Sequence, residues 1–440
     1  MHEPVGEPTA SGRLPQVIGR LHRAWLVAAV TFLVLVASAA FRSSYGVMIV
    51  PIDAEFGWSR AATSLAVSIN LVFYGITAPF ATTLMERFGI RTIAAAAMAL
   101  VAIGTALTTV MTDAWQLVVL WGVVVGLGVG STALVFGSLI ANRWFAKHRS
   151  LVVGVFGTAF ATGQLVFLPL LSALIDASGW RAASTLIAIL AAITVPLIWI
   201  VIRDRPSDVG LRPYGASGEL TKIELATNAT HSAWTAARSA ITTLTQASRT
   251  VPFWLLAGTF FICGYTTNGI VSTHFVPTMH DHGMGATTAS SLLAIVGIFD
   301  IIGTIGSGWL TDRFDPRILL GVYYSLRGVA LITLPTILGP HVVPPLVLVM
   351  ILFGLDWVAT VPPTVRLCTD FFGIESGAVV FGWVFAAHMI GAALAAELSG
   401  LLRDSTGSYV SAWILAGILA MAAAIAAFSI PRSRLSGLGT

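Results

Sequence analysis

The chain has 440 residues, of which 56% are hydrophobic and only 10% charged, against the roughly 25% charged residues of a soluble globular protein. No water-soluble fold hides that much apolar surface, and the net charge of +4 is scattered in short clusters between apolar runs, a pattern of membrane topology rather than nucleic-acid binding. The two cysteines, Cys263 and Cys368, both sit in apolar stretches, which leaves neither a disulfide scaffold nor a cysteine metal site.

Residues 1–23 are polar, with Arg13, Arg20 and Arg23 ahead of an apolar run that is too long for a signal-peptide core, so this run is read as a retained first membrane helix. A helix crossing the hydrocarbon core needs about 20 apolar residues. The hydropathy pattern predicts helices over 24–50, 61–85, 92–111, 115–141, 150–175 and 182–202. A second set is expected over 253–276, 288–311, 318–338, 344–368, 376–402 and 409–430. The expected architecture is an all-α membrane protein of twelve transmembrane helices in two six-helix bundles. Its divisions are a tail at 1–23, a bundle at 24–202, a linker at 203–251, a bundle at 252–430 and a tail at 431–440. The linker is the one long polar stretch, with a short interfacial helix expected near 230–248.

With the N-terminus placed in the cytoplasm, eighteen Lys and Arg residues lie inside and only Arg60, Arg181 and Arg403 lie outside. The positive-inside rule therefore places both termini and the linker on the cytoplasmic side of the inner membrane.

The second predicted helix is followed by Glu86, Arg87, Phe88, Gly89 and Arg91, and the eighth by Asp312, Arg313, Phe314, Asp315 and Arg317. Arg313 follows Arg87 by 226 residues (313 − 87), and Asp404 in Asp404-Ser405-Thr406-Gly407 follows Asp176 in Asp176-Ala177-Ser178-Gly179 by 228 (404 − 176). Two independent offsets that agree so closely argue for a duplicated six-helix unit, in which a binding site is expected at mid-depth between the halves.

These motifs resemble the GxLxDRxGxR loop of the major facilitator superfamily, which recurs between helices 8 and 9. Gly308, Leu310, Asp312, Arg313 and Arg317 match it with Asp315 in place of the glycine, while in the first copy Glu86 stands for the acid and Thr82 for the leading glycine. The resemblance implies a cytoplasmic gating network of Glu86, Arg87, Arg91, Asp312, Arg313 and Arg317. Trp144-Phe145-Ala146-Lys147-His148-Arg149-Ser150-Leu151, with Gly154 and Gly163, is similar to the helix 5 signature of monocarboxylate porters and oxalate/formate exchangers. Phe56-Gly57-Trp58-Ser59-Arg60 points the same way, although positions 144, 148 and 158 depart from the family pattern. Gly122, Gly126, Gly128 and Gly130 read as packing or hinge positions in helix 4.

Charge at membrane depth is costly, so each ionisable residue inside a span is a functional candidate. In monocarboxylate porters a cation on helix 1 engages the substrate carboxylate. Arg42 is the nearest candidate, although Tyr45, one turn on, aligns closer. Asn70, Tyr74, Gln164 and Asn268 are neutral groups that can line a cavity or glue helices together. Asp300, Arg327, Asp356 and His388 are the candidates for proton coupling or ion pairing. One aspartate is expected to pair with Arg327, leaving the other to titrate. The resemblance likens Asp300 to the coupling acid of helix 8, but Thr304 stands where the family has an arginine. Glu397 is expected to pair with Arg403, and Pro362 and Pro363 to break helix 10. His274, His280, Asp281 and His282 are unevenly spaced, and no metal site, cofactor or nucleotide loop is expected. No nucleophile with an adjacent base appears, so no enzyme is expected.

The resulting expectation is a monomeric secondary transporter in the cytoplasmic membrane, moving a small organic anion, a monocarboxylate first, with protons or a counter-anion as its partner. A drug or metabolite exporter and a non-transporting membrane sensor are the alternatives.

Overall fold

The computed structural model describes residues 22–132, 134–216 and 233–432. These residues are almost entirely helical, with no β-strand among them beyond one isolated bridge, Phe145 to Tyr214. Lipid offers no partner to a free backbone N–H or C=O, so apolar segments of this length close their hydrogen bonds internally as helices. In chain order α1 is Arg23–Phe56, α2 Arg60–Phe88 and α3 Ile90–Thr108. They are followed by α4 (Ala114–Trp144), α5 (149–178) and α6 (Trp180–Val201). The second six are α7 (251–281), α8 (Ala286–Thr311), α9 (Pro316–Thr333), α10 (Pro344–Gly373), α11 (Ser376–Thr406) and α12 (Val410–Phe428).

Among the described residues nine helices are long and apolar enough to span a membrane, α7 adds a tenth as part of a bent pair, and α2 and α5 complete the two sets of six. Large apolar side chains such as Ile103, Ile200, Ile305 and Ile425 face outward, where a bilayer would cover them.

Several helices differ from the hydropathy pattern at their ends. α1 runs on to Phe56, α7 to Asp281 and α11 to Thr406, while α9 stops at Thr333. Polar residues beyond the apolar run continue the helix where a neighbour pairs with them, as Asp53 does with Arg60 at 2.5 Å. The linker helix is Ala233–Ala247, and its last turns meet α7 at 105°.

Two helices contain wide π turns, Val118–Val125 in α4 and Tyr265–Gly269 in α7. α10 is broken: its first segment ends at Asp356 and helix resumes at Val361, with Pro362 in the new first turn. The glycines of α4 are packing positions. A methyl group at Gly122, Gly126 or Gly130 would collide with α2, and one at Gly128 with α3.

The end of the bundle at which α1 begins, α12 ends and the helix Ala233–Ala247 lies is here the linker end, and the opposite end the far end. Contacts between the halves run from mid-depth to the far end. A Cβ at Gly75 of α2 would stand 2.6 Å from that of Met389 on α11. One at Gly46 of α1 would stand 2.9 Å from the Ser272 carbonyl oxygen of α7. The Ser68 hydroxyl donates to the Ala393 carbonyl at 2.8 Å.

Candidate functional site at the seam of the two halves

On the N-terminal half, Arg42 lies about 19 residues, or roughly 28 Å, along α1 and is half-buried. Its guanidinium donates to the Tyr74 hydroxyl at 3.2 Å and lies 4.4 Å from the centre of that ring, a cation–π contact with α2. Tyr45 and Asn70 do different work. The buried Tyr45 hydroxyl donates to Asn70 Oδ1 at 2.5 Å, and Asn70 Nδ2 donates to the Trp121 carbonyl at 2.5 Å. That carbonyl belongs to the π turn of α4, so the pair ties α1, α2 and α4 together.

On the C-terminal half, Asn268 sits in the π turn of α7, and its amide lies 3.2 Å from Nε2 of His388 on α11, which accepts. The imidazole stacks on Phe385 at 5.6 Å and tilts against Phe260 at 4.8 Å. A close approach makes this possible: a Cβ at Gly264 would stand 1.8 Å from the His388 carbonyl oxygen, so only glycine lets α7 reach α11 here. Arg42 lies within electrostatic reach of His388, and the residue after Tyr74 packs on Met389. The structure thus brings together Arg42, Tyr74, Asn268 and His388 across the seam.

The remaining mid-depth charges serve the break in α10. Arg327 is fully buried; its Nε donates to Asp356 Oδ2 at 2.6 Å and a terminal nitrogen to the Asp356 carbonyl at 2.6 Å. Its other terminal nitrogen meets Thr266 Oγ1 and Cys263 Sγ, both at 3.2 Å. Asp300 accepts from the Val358 backbone N–H and from Thr304 Oγ1, both at 3.1 Å. Of the two aspartates it is Asp356 that meets Arg327, and among the described residues no ion pair involves Asp300. Arg327 and Asp300 therefore satisfy a carbonyl and an N–H that the broken helix sets free at membrane depth.

One expectation needs correction, and two candidate residues lie outside the description. Arg403 pairs not with Glu397 but with Asp281, at 2.6 Å, because the end of α7 extends to meet it; Glu397 Oε2 has no hydrogen-bond partner among the described residues. The side chains of Glu86 and Gln164 lie outside the described residues. His274 is buried against the Ala396 carbonyl at 2.7 Å and Tyr409, and among the described residues no group of three metal-ligating side chains forms.

At the linker end the two copies of the loop motif are built differently. In the first, Asp204 from beyond α6 accepts from the Arg91 backbone N–H at 3.0 Å, and Arg143 donates to the Asp204 carbonyl at 3.2 Å. Arg91 stacks on Trp199 at 4.1 Å, and Arg87 lies 5.2 Å over Phe88. In the second, Asp315 accepts from both the backbone N–H and the guanidinium of Arg317, which holds its carboxyl below the usual carboxylate range. Arg317 also donates to the Ile430 carbonyl at 2.9 Å, while Arg313 stacks on Trp309 at 4.1 Å. Asp312 lines a cavity of about 650 Å³ with Arg366 and Asp370.

Sequence reasoning missed Asp204, and it missed Tyr214, whose carbonyl accepts from Ala146 and Lys147 at 3.0 Å and whose ring packs on Trp25. Both lie in the polar stretch after α6, where composition carries no signal of a contact.

The family model of the Major Facilitator Superfamily matches residues 31–396 and 275–438. The uncharacterized MFS-type transporter YcxA of Bacillus subtilis is 25% identical over 390 residues, 88% of this chain and 90% of that protein. Monocarboxylate transporter 13 of Bos taurus is 27% identical over 413 residues, 90% of this chain and 88% of that one. Monocarboxylate transporter 11 of Homo sapiens is 25% identical over 422 residues, 93% of this chain and 83% of that one. Among solved structures, a bacterial homolog of the human lysosomal transporter Spinster, in its inward-facing and occupied conformation, superposes with a TM-score of 0.72 at 16% identity, covering 95% of this chain and 99% of that one. The chain belongs to the Major Facilitator Superfamily and, within it, resembles the monocarboxylate transporters.

Proposed function

We propose that this protein is a secondary transporter of the cytoplasmic membrane, with both termini and the linker in the cytoplasm, that carries a small monocarboxylate by alternating access. The observation that carries this reading is Arg42. A guanidinium leans on Tyr74 at the seam, within electrostatic reach of His388 on the opposite half. A carboxylate entering the seam meets a cation on one side and the Asn268 amide, held by His388, on the other. The two halves can then close on it from either end.

The polar groups divide the remaining labour. Asp356 is engaged by Arg327 and holds the α10 break, whereas among the described residues Asp300 meets neutral donors and no cation. Asp300 is therefore the acid assigned to proton symport, and anion exchange is the coupling if it is dispensable. The engagement of Asp356 removes one of the two carboxylates that a cation exporter would use at this depth.

The test is uptake of radiolabelled lactate or pyruvate into proteoliposomes under an inward proton gradient. Wild-type protein should accumulate the label, and Arg42→Ala should lower uptake about 10- to 100-fold, the worth of one charge-assisted hydrogen bond. Asp300→Asn should abolish the response to the gradient. Binding without flux would favour a sensor, and uptake that survives Arg42→Ala would remove that residue from the site.

A further inference from the structure

The second sequence echo, Asp176-Ala-Ser-Gly and Asp404-Ser-Thr-Gly, takes no part in the seam described so far. Asp404 lies in the last turn of α11, three residues before Gly407, and Asp176 in the last turn of α5, three before Gly179. Both glycines have positive φ, 74° and 82°, and end their helices at the far end of the bundle. Each aspartate reaches across to the other half. The Asp404 carboxylate accepts from the backbone N–H groups of Arg60 at 3.1 Å and Ala61 at 2.8 Å, the first two residues of α2. Asp176 accepts from the Thr287 hydroxyl at 2.7 Å, in the first turn of α8.

These contacts occupy equivalent places in the two halves, one through backbone N–H groups and one through a hydroxyl. Thr287 follows Ala61 by 226 residues (287 − 61), the offset that also separates Arg313 from Arg87. Exchanging the halves therefore maps Asp404 on α2 onto Asp176 on α8. In both cases a carboxylate from the end of one half sits at the start of a helix of the other. Asp404 there meets backbone N–H groups that α2 itself leaves free, Asp176 meets the Thr287 hydroxyl, and both lie at the positive end of a helix dipole. Ser59 caps α2 through the Ala62 N–H, and the N-cap of α8 is Gly285, which has no side chain to cap it.

We propose that Asp404 and Asp176 form a symmetric pair of clamps that hold the outer end of the protein closed, and that both must release before it opens outward. The proposal rests on the alternating-access reading, but its readout needs no substrate. Neither clamp joins residues of the same half, so each is lost when the halves part at this end. Two symmetry-related clamps resist hinging in either direction, where one alone would act as a pivot.

The experiment uses spin labels on Thr112→Cys and His341→Cys, exposed positions at the outer end of either half; the native Cys263 and Cys368 are buried. Pulsed electron–electron resonance on reconstituted protein then reads the outer opening as a distance distribution. Asp404→Ala or Asp176→Ala should raise the ratio of the long-distance to the short-distance population roughly fivefold, the worth of one helix cap. The double variant should raise it more than either. Asp404→Asn, which keeps an accepting oxygen and the shape of the side chain, should fall between parent and alanine variant, and it carries the test if the alanine variant does not fold. A distribution unchanged in folded variants would overturn the proposal, as would a double variant no more open than either single one. Loss of lactate uptake with clamps that respond as described would sink only the substrate assignment.

Discussion

The loop after α2 and the loop after α8 descend from one motif, yet each supplies the same carboxylate from a different place. After α8 the capping acid is local: Asp315 precedes α9 and accepts from the Arg317 N–H at 3.0 Å. After α2 the equivalent residue, 226 positions earlier (315 − 89), is Gly89, and a Cβ there would stand 2.5 Å from Asp204, the carboxylate that accepts from Arg91. Gly89 also has φ of 91° and ψ of 143°, a conformation that side chains disfavour. The departure of Asp315 from the family glycine is thus a relocation. One corner needs glycine because an acid comes from outside, and the other carries its own. The consequence is that the first corner takes its acid from the segment leading into the linker, while the second carries its own acid and meets the segment after α12 through Arg317 and the Ile430 carbonyl.

The two halves diverge further in how they hold an arginine at mid-depth, and there the largest effect is expected. Arg327→Ala leaves Asp356 as a buried charge without its partner and should cost about 3–5 kcal/mol, seen as a sharply lower thermal midpoint in detergent. Arg42→Ala should leave that midpoint nearly unchanged while uptake falls. Equal destabilisation by both would erase the distinction between a packing arginine and a binding one.

Gly89→Asp makes the first corner imitate the second in sequence but not in shape, and should cost about 3 kcal/mol through backbone strain and carboxylate repulsion. Adding Asp204→Ala should return the repulsive part only. Full recovery of the thermal midpoint would show that the strain at Gly89 is negligible. Asp204→Ala and Asp315→Ala, each taken singly, remove one helix cap and should cost about 1 kcal/mol apiece. Only Asp204→Ala should raise proteolysis of the segment after α6, since only that acid belongs to it.

The smallest effect is on acid stability. Hydrogen bonding to Arg317 holds the folded Asp315 carboxyl below its ordinary value. Its contribution is therefore complete above the unfolded carboxylate range, near pH 4, and fades as pH falls through the lower folded value. The difference in thermal midpoint between wild type and Asp315→Asn should be flat from pH 7 to 5 and shrink below about pH 4. A difference that grew on acidification would have the wrong sign.

How much was legible in the sequence follows from these cases. The spans and their duplication were legible, because lipid forces long apolar runs into helices and two separated motifs fix one offset. The break in α10 was marked by Pro362 and Pro363, and Arg42, Tyr74, Asn268 and His388 were marked as polar groups at membrane depth. That Tyr74 carries Arg42, that Asn268 meets His388, and that Asp204 fills the space above Gly89 depends on helices far apart in sequence. No local pattern encodes such meetings. Asp176 and Asp404 were visible as an echo, but what they touch was not, since Thr287 and Ala61 are ordinary residues until the halves are apposed.

The π turn of α7 has a consequence for reading such chains. Before it Cys263, and at its start Thr266, face the guanidinium of Arg327; further within it Asn268 faces His388; after it, the Thr273 carbonyl lies against Gly46 of the other half. A wide turn takes up an extra residue, and one residue is about 100° of rotation. A helical wheel drawn through the whole of α7 therefore rotates its later residues out of phase and assigns them to the wrong neighbours. Two wheels, meeting at Tyr265–Gly269, restore the true faces.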